Sequence, residues 1–67
     1  MKKVVKTLDG SYYTGKFETG GVVIMISHSD QLEDAMKFNT EEEIKEELKN
    51  VNNYEYTIEE VQDEILI

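Results

Sequence analysis

A chain of 67 residues with 39% hydrophobic content and a net charge of −8 makes one small acidic domain, residues 1–67. It has no Cys and a single His, which excludes disulfides and thiolate metal sites and leaves no ligand set for structural zinc. Arg is also absent, so the bidentate fork that reads guanine or clamps phosphate is missing, and direct nucleic-acid binding is not expected.

Residues 2–8 read as a first strand. Its lysines resemble the start of a signal peptide, but Lys6 and Asp9 interrupt any apolar h-region. No apolar run anywhere approaches the roughly 18 residues of a membrane span. The chain is therefore read as cytoplasmic, with no membrane partner. Asp9-Gly10 predicts a tight hairpin of type I′, whose two central residues both need positive φ. Residues 11–17 form the second strand, and residues 18–21, with Gly20-Gly21, form the next turn. Residues 22–26, Val-Val-Ile-Met-Ile, are the third strand and the most apolar stretch.

Residues 27–30 are read as a loop. They contain Ser, His, Ser and Asp, the letters of a catalytic triad. Four consecutive residues cannot easily set a base between a nucleophile and its orienting acid. Ser29 or Asp30 is expected instead to cap the following turn. Residues 31–38 read as one helical turn followed by a short extended link.

Thr40-Glu41-Glu42-Glu43 is a capping box that opens a helix ending near residue 50. Ile44, Leu48 and Val51 form its apolar stripe. Tyr54, Tyr56 and Ile58 then alternate with Glu55, Thr57 and Glu59, as in a half-buried strand. Val61 breaks that phase, which predicts a bulge or bend near Glu59-Glu60. Ile65-Leu66-Ile67 makes an apolar end. The order β-β-β-(turn)-α-β predicts an α+β fold, a small two-layer domain with an antiparallel sheet of about four strands and one main helix.

This layout resembles that of small accessory proteins of Gram-positive phages and prophages. The residues that carry the resemblance are Asp9-Gly10 with Tyr12-Tyr13, then Leu32, Ala35 and Phe38, Thr40 to Glu43, and Tyr54 to Val61. They are turn and packing signals, and no catalytic motif accompanies them. The resemblance implies a mobile-element protein that binds and blocks a host protein, such as restriction, CRISPR or transcription machinery. The apolar third strand and the Ile65–Ile67 end depart from the layout.

Charge is divided along the chain. Residues 1–29 hold Lys2, Lys3, Lys6 and Lys16 against Asp9 and Glu18, a net of +2. Residues 30–67 hold thirteen carboxylates against Lys37, Lys45 and Lys49, a net of −10. Glu42 with Glu46 and Glu43 with Glu47 are like-charge pairs at i,i+4, each unfavourable by roughly 0.2–0.5 kcal/mol. Either the helix has a solvated face, or Glu42, Glu43, Glu46, Glu47, Glu55 and Glu59 form an acidic sector toward a basic host protein, as an inhibitor or DNA mimic would present.

The third strand poses a second choice. By simple alternation Val22, Ile24 and Ile26 face one way and Val23 and Met25 the other. Both faces are then covered within one subunit by Tyr12, Tyr13, Phe17 and Phe38, or the chain is a homodimer that buries Val23, Met25, Ile65, Leu66 and Ile67. No nucleophile–base pair, metal set or cofactor loop is visible, so neither an enzyme nor a cofactor is expected. Glu41 to Glu43 and the Asp30, Glu33 and Asp34 group lack the spacing of a dedicated calcium loop.

Overall fold

A computed structural model describes residues 1–62. The elements are β1 (Lys2–Thr7), β2 (Tyr12–Thr19), β3 (Val22–Ser29), a 3-10 turn (Leu32–Asp34), α1 (Glu41–Glu47) and β4 (Tyr56–Val61). All strand pairs are antiparallel, in the order β3-β2-β1-β4, with the helix on one face of a curled sheet. The α+β class and the order of elements follow the sequence expectation.

The core lies between helix and sheet. Val5, Tyr13, Phe38, Ile44 and Leu48 are buried together, with Ile26, Met36, Val51, Tyr54, Tyr56 and Ile58 at the margins. Side chains alternate along a strand, so Val4 points to the other face from Val5. Both are fully buried, and β1 is an inner strand of the sheet, between β2 and β4. The two faces are called here the helix face, with Val5 and Tyr13, and the outer face, with Val4, Lys6 and Tyr12.

β1 and β2 pair only beside their turn, at Lys6–Tyr12. Beyond that point the extended link is wedged between them. The Met36 N–H donates to the Tyr13 carbonyl at 3.0 Å, and Lys3 and Phe38 exchange two backbone bonds of 2.8 Å. The link thus satisfies inner-strand groups that a direct β1–β2 ladder would otherwise pair.

The local geometry corrects several expectations. The first hairpin is not type I′: Gly10 has φ +93°, whereas Asp9 is not at positive φ. Its loop has three residues, closed by Thr7 N–H to Ser11 carbonyl and Gly10 N–H to Thr7 carbonyl bonds, a form that needs only one left-handed position. The third strand runs on to Ser29, so residues 27–29 are not loop. The helix stops at Glu47, with Leu48 as its C-cap near φ −102°, ψ 11°, one turn short of the expected end.

The bulge predicted near Glu59-Glu60 is absent, since β4 pairs with β1 without a slip from Lys2–Val61 to Thr7–Tyr56. The apolar phase changes there because β1 is covered on both faces. Ile58 lies beside Val5 on the helix face, whereas Val61 lies on the same face as Val4. The bulges occur in the β2–β3 ladder instead.

Candidate functional site

Two surfaces hold the residues nominated from sequence, and they lie on opposite faces. The first is the helix face. The Thr40 hydroxyl accepts from the Glu43 N–H at 3.2 Å. The Glu43 carboxylate reaches back one residue further than a capping box requires, to the Asn39 N–H at 2.7 Å. Near the other end of α1, the buried Tyr13 hydroxyl donates to Glu47 at 2.6 Å. Lys16 donates to the Glu47 carbonyl at 2.6 Å and pairs with its carboxylate at 3.3 Å. Burial, and then the Glu47 carboxylate, push the Tyr13 hydroxyl well above the usual tyrosine range. These bonds fasten the helix to β2 and place Glu47 in a structural role. Lys16 gave no sequence signal beyond its strand position.

The other nominated carboxylates are not gathered into one sector. Glu46 pairs with Lys49 at 2.6 Å, and that bond holds Glu46 below its ordinary value. Glu59 lies on the outer face opposite Val4 and pairs with Lys6 at 3.5 Å. Glu42 and Glu55 are exposed and make no side-chain hydrogen bond or ion pair among the described residues. Glu41 and Glu42 therefore remain as the open acid of α1 among the described residues, while Glu59 is separated from them by the sheet.

The second surface comes from the β2–β3 hairpin. Lys16 pairs with Ile26 on the helix face, so the next pair, Phe17–Met25, points outward. The register then shifts: Glu18 pairs with Val23, which leaves Ile24 as the extra residue of a bulge. Ile24 and Met25 together oppose Phe17, and the Thr19–Val22 pair returns to the outer side. Phe17, Val22, Ile24 and Met25 are each 58–63% exposed. The bulge corrects the simple alternation. Val23 lies with Glu18 on the helix side and is half-buried, whereas Met25 is in the outer patch. Phe17 does not cover the third strand but is exposed beside it. Ile65, Leu66 and Ile67 lie outside the described residues.

The Ser-His-Ser segment supplies a third cluster, but not a triad. Ser29 accepts from the Gln31 N–H at 3.0 Å and donates to Asp34 at 2.9 Å, so it ties the chain on either side of the 3-10 turn, but neither it nor Asp30 is the cap: the N-cap is Gln31, with no side-chain cap bond. His28 projects to the helix face, where its Nε2 lies 2.7 Å from the Tyr54 hydroxyl and its ring stacks on Tyr54 at 5.8 Å. Tyr13 and Tyr56 complete the aromatic group. Because β3 and β4 are opposite edges, this contact marks where the sheet curls back on itself. Residue spacing gave no indication of it, since His28 and Tyr54 meet only through that curl.

Among the described residues, no group of three or more His, Asp or Glu side chains is arranged to hold a metal ion, and no helix is long and apolar enough to cross a membrane. Comparisons with protein-family models, with curated proteins and with solved structures each give no match.

Proposed function

We propose that this chain is a non-enzymatic protein-binding module whose main contact surface is the outer patch of the β2–β3 hairpin. One observation carries the reading: four large apolar side chains are clustered on one sheet face and left more than half exposed. Scattered exposed apolar residues are ordinary, but a contiguous group of this kind is a common mark of an interaction site. The test is a double substitution, Phe17→Ser with Met25→Ser. Both side chains are exposed, so the circular dichroism spectrum should be unchanged while association with any protein partner falls at least tenfold. Unaltered association would overturn the reading.

A second reading is favoured by the open acid on the helix face. In it the chain inhibits or modulates a bacterial host protein that has a basic surface, in the manner of a phage anti-defence, anti-CRISPR or DNA-mimic protein. Five of the seven residues of α1 are glutamates. Glu41→Lys with Glu42→Lys is the appropriate reversal, since Glu47 is needed to hold Tyr13 and Lys16. Capture of a host protein from a Gram-positive lysate should be lost in that variant with the fold intact. Equal capture by the reversed protein would rule this reading out.

A further inference from the structure

We infer that the far part of the β2–β3 hairpin, residues 15–27, is an arm hinged at a bulge in β2 and latched to the end of α1 by Lys16. The first observation is where backbone bonding stops. β1 meets β2 only at Lys6–Tyr12, and the extended link meets it only at the Tyr13 carbonyl. Among the described residues, no backbone hydrogen bond joins residues 14–27 to anything outside the hairpin. The hairpin's own ladder runs from Tyr12–Ser29 to Thr19–Val22, broken only by its two bulges. The hairpin can therefore stay whole while its attachment to the body changes.

The second observation is the joint. Tyr13 pairs with His28 and Gly15 with Ser27, so Thr14 is an extra residue of β2. A bulge bends its strand and interrupts pairing. This one falls just past the last backbone bond to the body. It is followed by Gly15 at φ +156°, a conformation that L side chains rarely adopt. On the body side of the joint, Tyr13 is buried and bonded to Glu47, and His28 is bonded to Tyr54. A few residues at the end of a well-bonded segment are where hinges absorb their change in backbone angle.

The third observation is what holds the arm. Ile26 packs at the margin of the core, and Lys16 reaches α1. The Lys16 ammonium donates to the Glu47 carbonyl, one of the acceptors that a helix end leaves unsatisfied, and pairs with the Glu47 carboxylate. The tip, Phe17 to Val22, is exposed. An open cleft lined by Val23, Ile26, Asn50, Val51 and Asn52 leaves room beside the arm. Release of Lys16 would re-aim Phe17, Val22, Ile24 and Met25 relative to α1. That consequence for binding rests on the reading of the patch as a contact surface, whereas the motion does not.

The test is the distance between spin labels on cysteine variants of the full chain, which has no native Cys. One pair, Thr19→Cys with Glu42→Cys, spans the arm tip and the helix. A control pair, Glu42→Cys with Glu55→Cys, lies within the body. All three side chains are exposed. Lys16→Met should broaden the arm–helix distance distribution to about twice its original width and leave the control pair unchanged. Lys16→Arg keeps the charge and the donors and should restore the original width. Glu47→Gln keeps an acceptor for Tyr13 but removes the ion pair, so it should broaden the same distribution to a lesser degree, and it serves if Lys16→Met does not fold. An arm–helix distribution unchanged in every folded variant overturns the latch. Equal broadening of the control pair overturns the hinge, because the whole body has then loosened. No partner enters the measurement, so its failure leaves the contact-surface reading to its own test.

Discussion

Asp9 shows how much a single turn residue can do. Its carboxylate accepts from the Thr7 hydroxyl, the Ser11 N–H at 3.1 Å and the Ser11 hydroxyl at 2.9 Å. The Thr7 bond above all, then the two Ser11 bonds, hold the Asp9 carboxyl down to about 2, against an ordinary value near 3.9. A group depressed on folding stabilises the fold above its unfolded value, and that contribution disappears as pH falls through the folded value. The Asp9 contribution should therefore be complete at neutral pH and lost between about pH 4 and pH 2. Asp9→Asn should lower the urea midpoint at pH 7 and leave a shallower acid limb than the wild type. Parallel acid limbs in the two proteins would show that Asp9 is not the titrating group. The dipeptide Asp9-Gly10 located this turn correctly. It misled about the turn type, because the role of Asp9 is to accept hydrogen bonds rather than to take a left-handed backbone.

At the scale of elements, the short helix depends on its two ends. The cap at Thr40 satisfies one of the orphan N–H groups of a seven-residue helix too short to stand alone. Thr40→Ala should cost about 1 kcal/mol. Tyr13→Phe removes the donor to Glu47 and should cost about 1.5 kcal/mol, the low end for a bond to a charged group because the Glu47 carboxylate can rehydrate. Chemical denaturation of the two single variants and the double variant checks both values. Near-additivity is expected, since the two bonds lie at opposite ends of α1. The cap, the Ile44–Leu48 stripe and the Gly20-Gly21 turn were legible in the sequence because each rests on contacts a few residues apart. The outer patch was not. Strict alternation divides Val22 to Ile26 between two faces, and only the Ile24 bulge, set by pairing with β2, places Met25 beside Ile24 and Val22. The phase break at Val61 was visible but ambiguous: a bulge and a change of covered face leave the same pattern, and only the burial of Val4 distinguishes them.

For the whole molecule, the consequence is a separation of charge from apolar surface. The sequence divides its charge by chain position, +2 before residue 30 and −10 after it. The fold redistributes part of it, pairing Lys3 with Glu60 at 2.7 Å and Lys6 with Glu59. These cross-strand pairs use lysines of the first half against carboxylates of the second, and as exposed, salt-screened pairs they contribute little to stability. Among the described residues, what is left over is an acidic helix, with Glu41 and Glu42 unpaired on it, and an outer patch of exposed apolar side chains. The two surfaces should respond to salt differently. Binding of a basic partner to the helix face should weaken as salt is raised, because screening removes the attraction. Association through the outer patch should not weaken, because screening leaves an apolar contact untouched. Capture of a basic protein should therefore fall severalfold between about 50 mM and about 500 mM NaCl, while any association abolished by Phe17→Ser with Met25→Ser should persist over the same range. If the patch-dependent association fell with salt as well, it would have to be held by charge, and the outer patch could not be its contact.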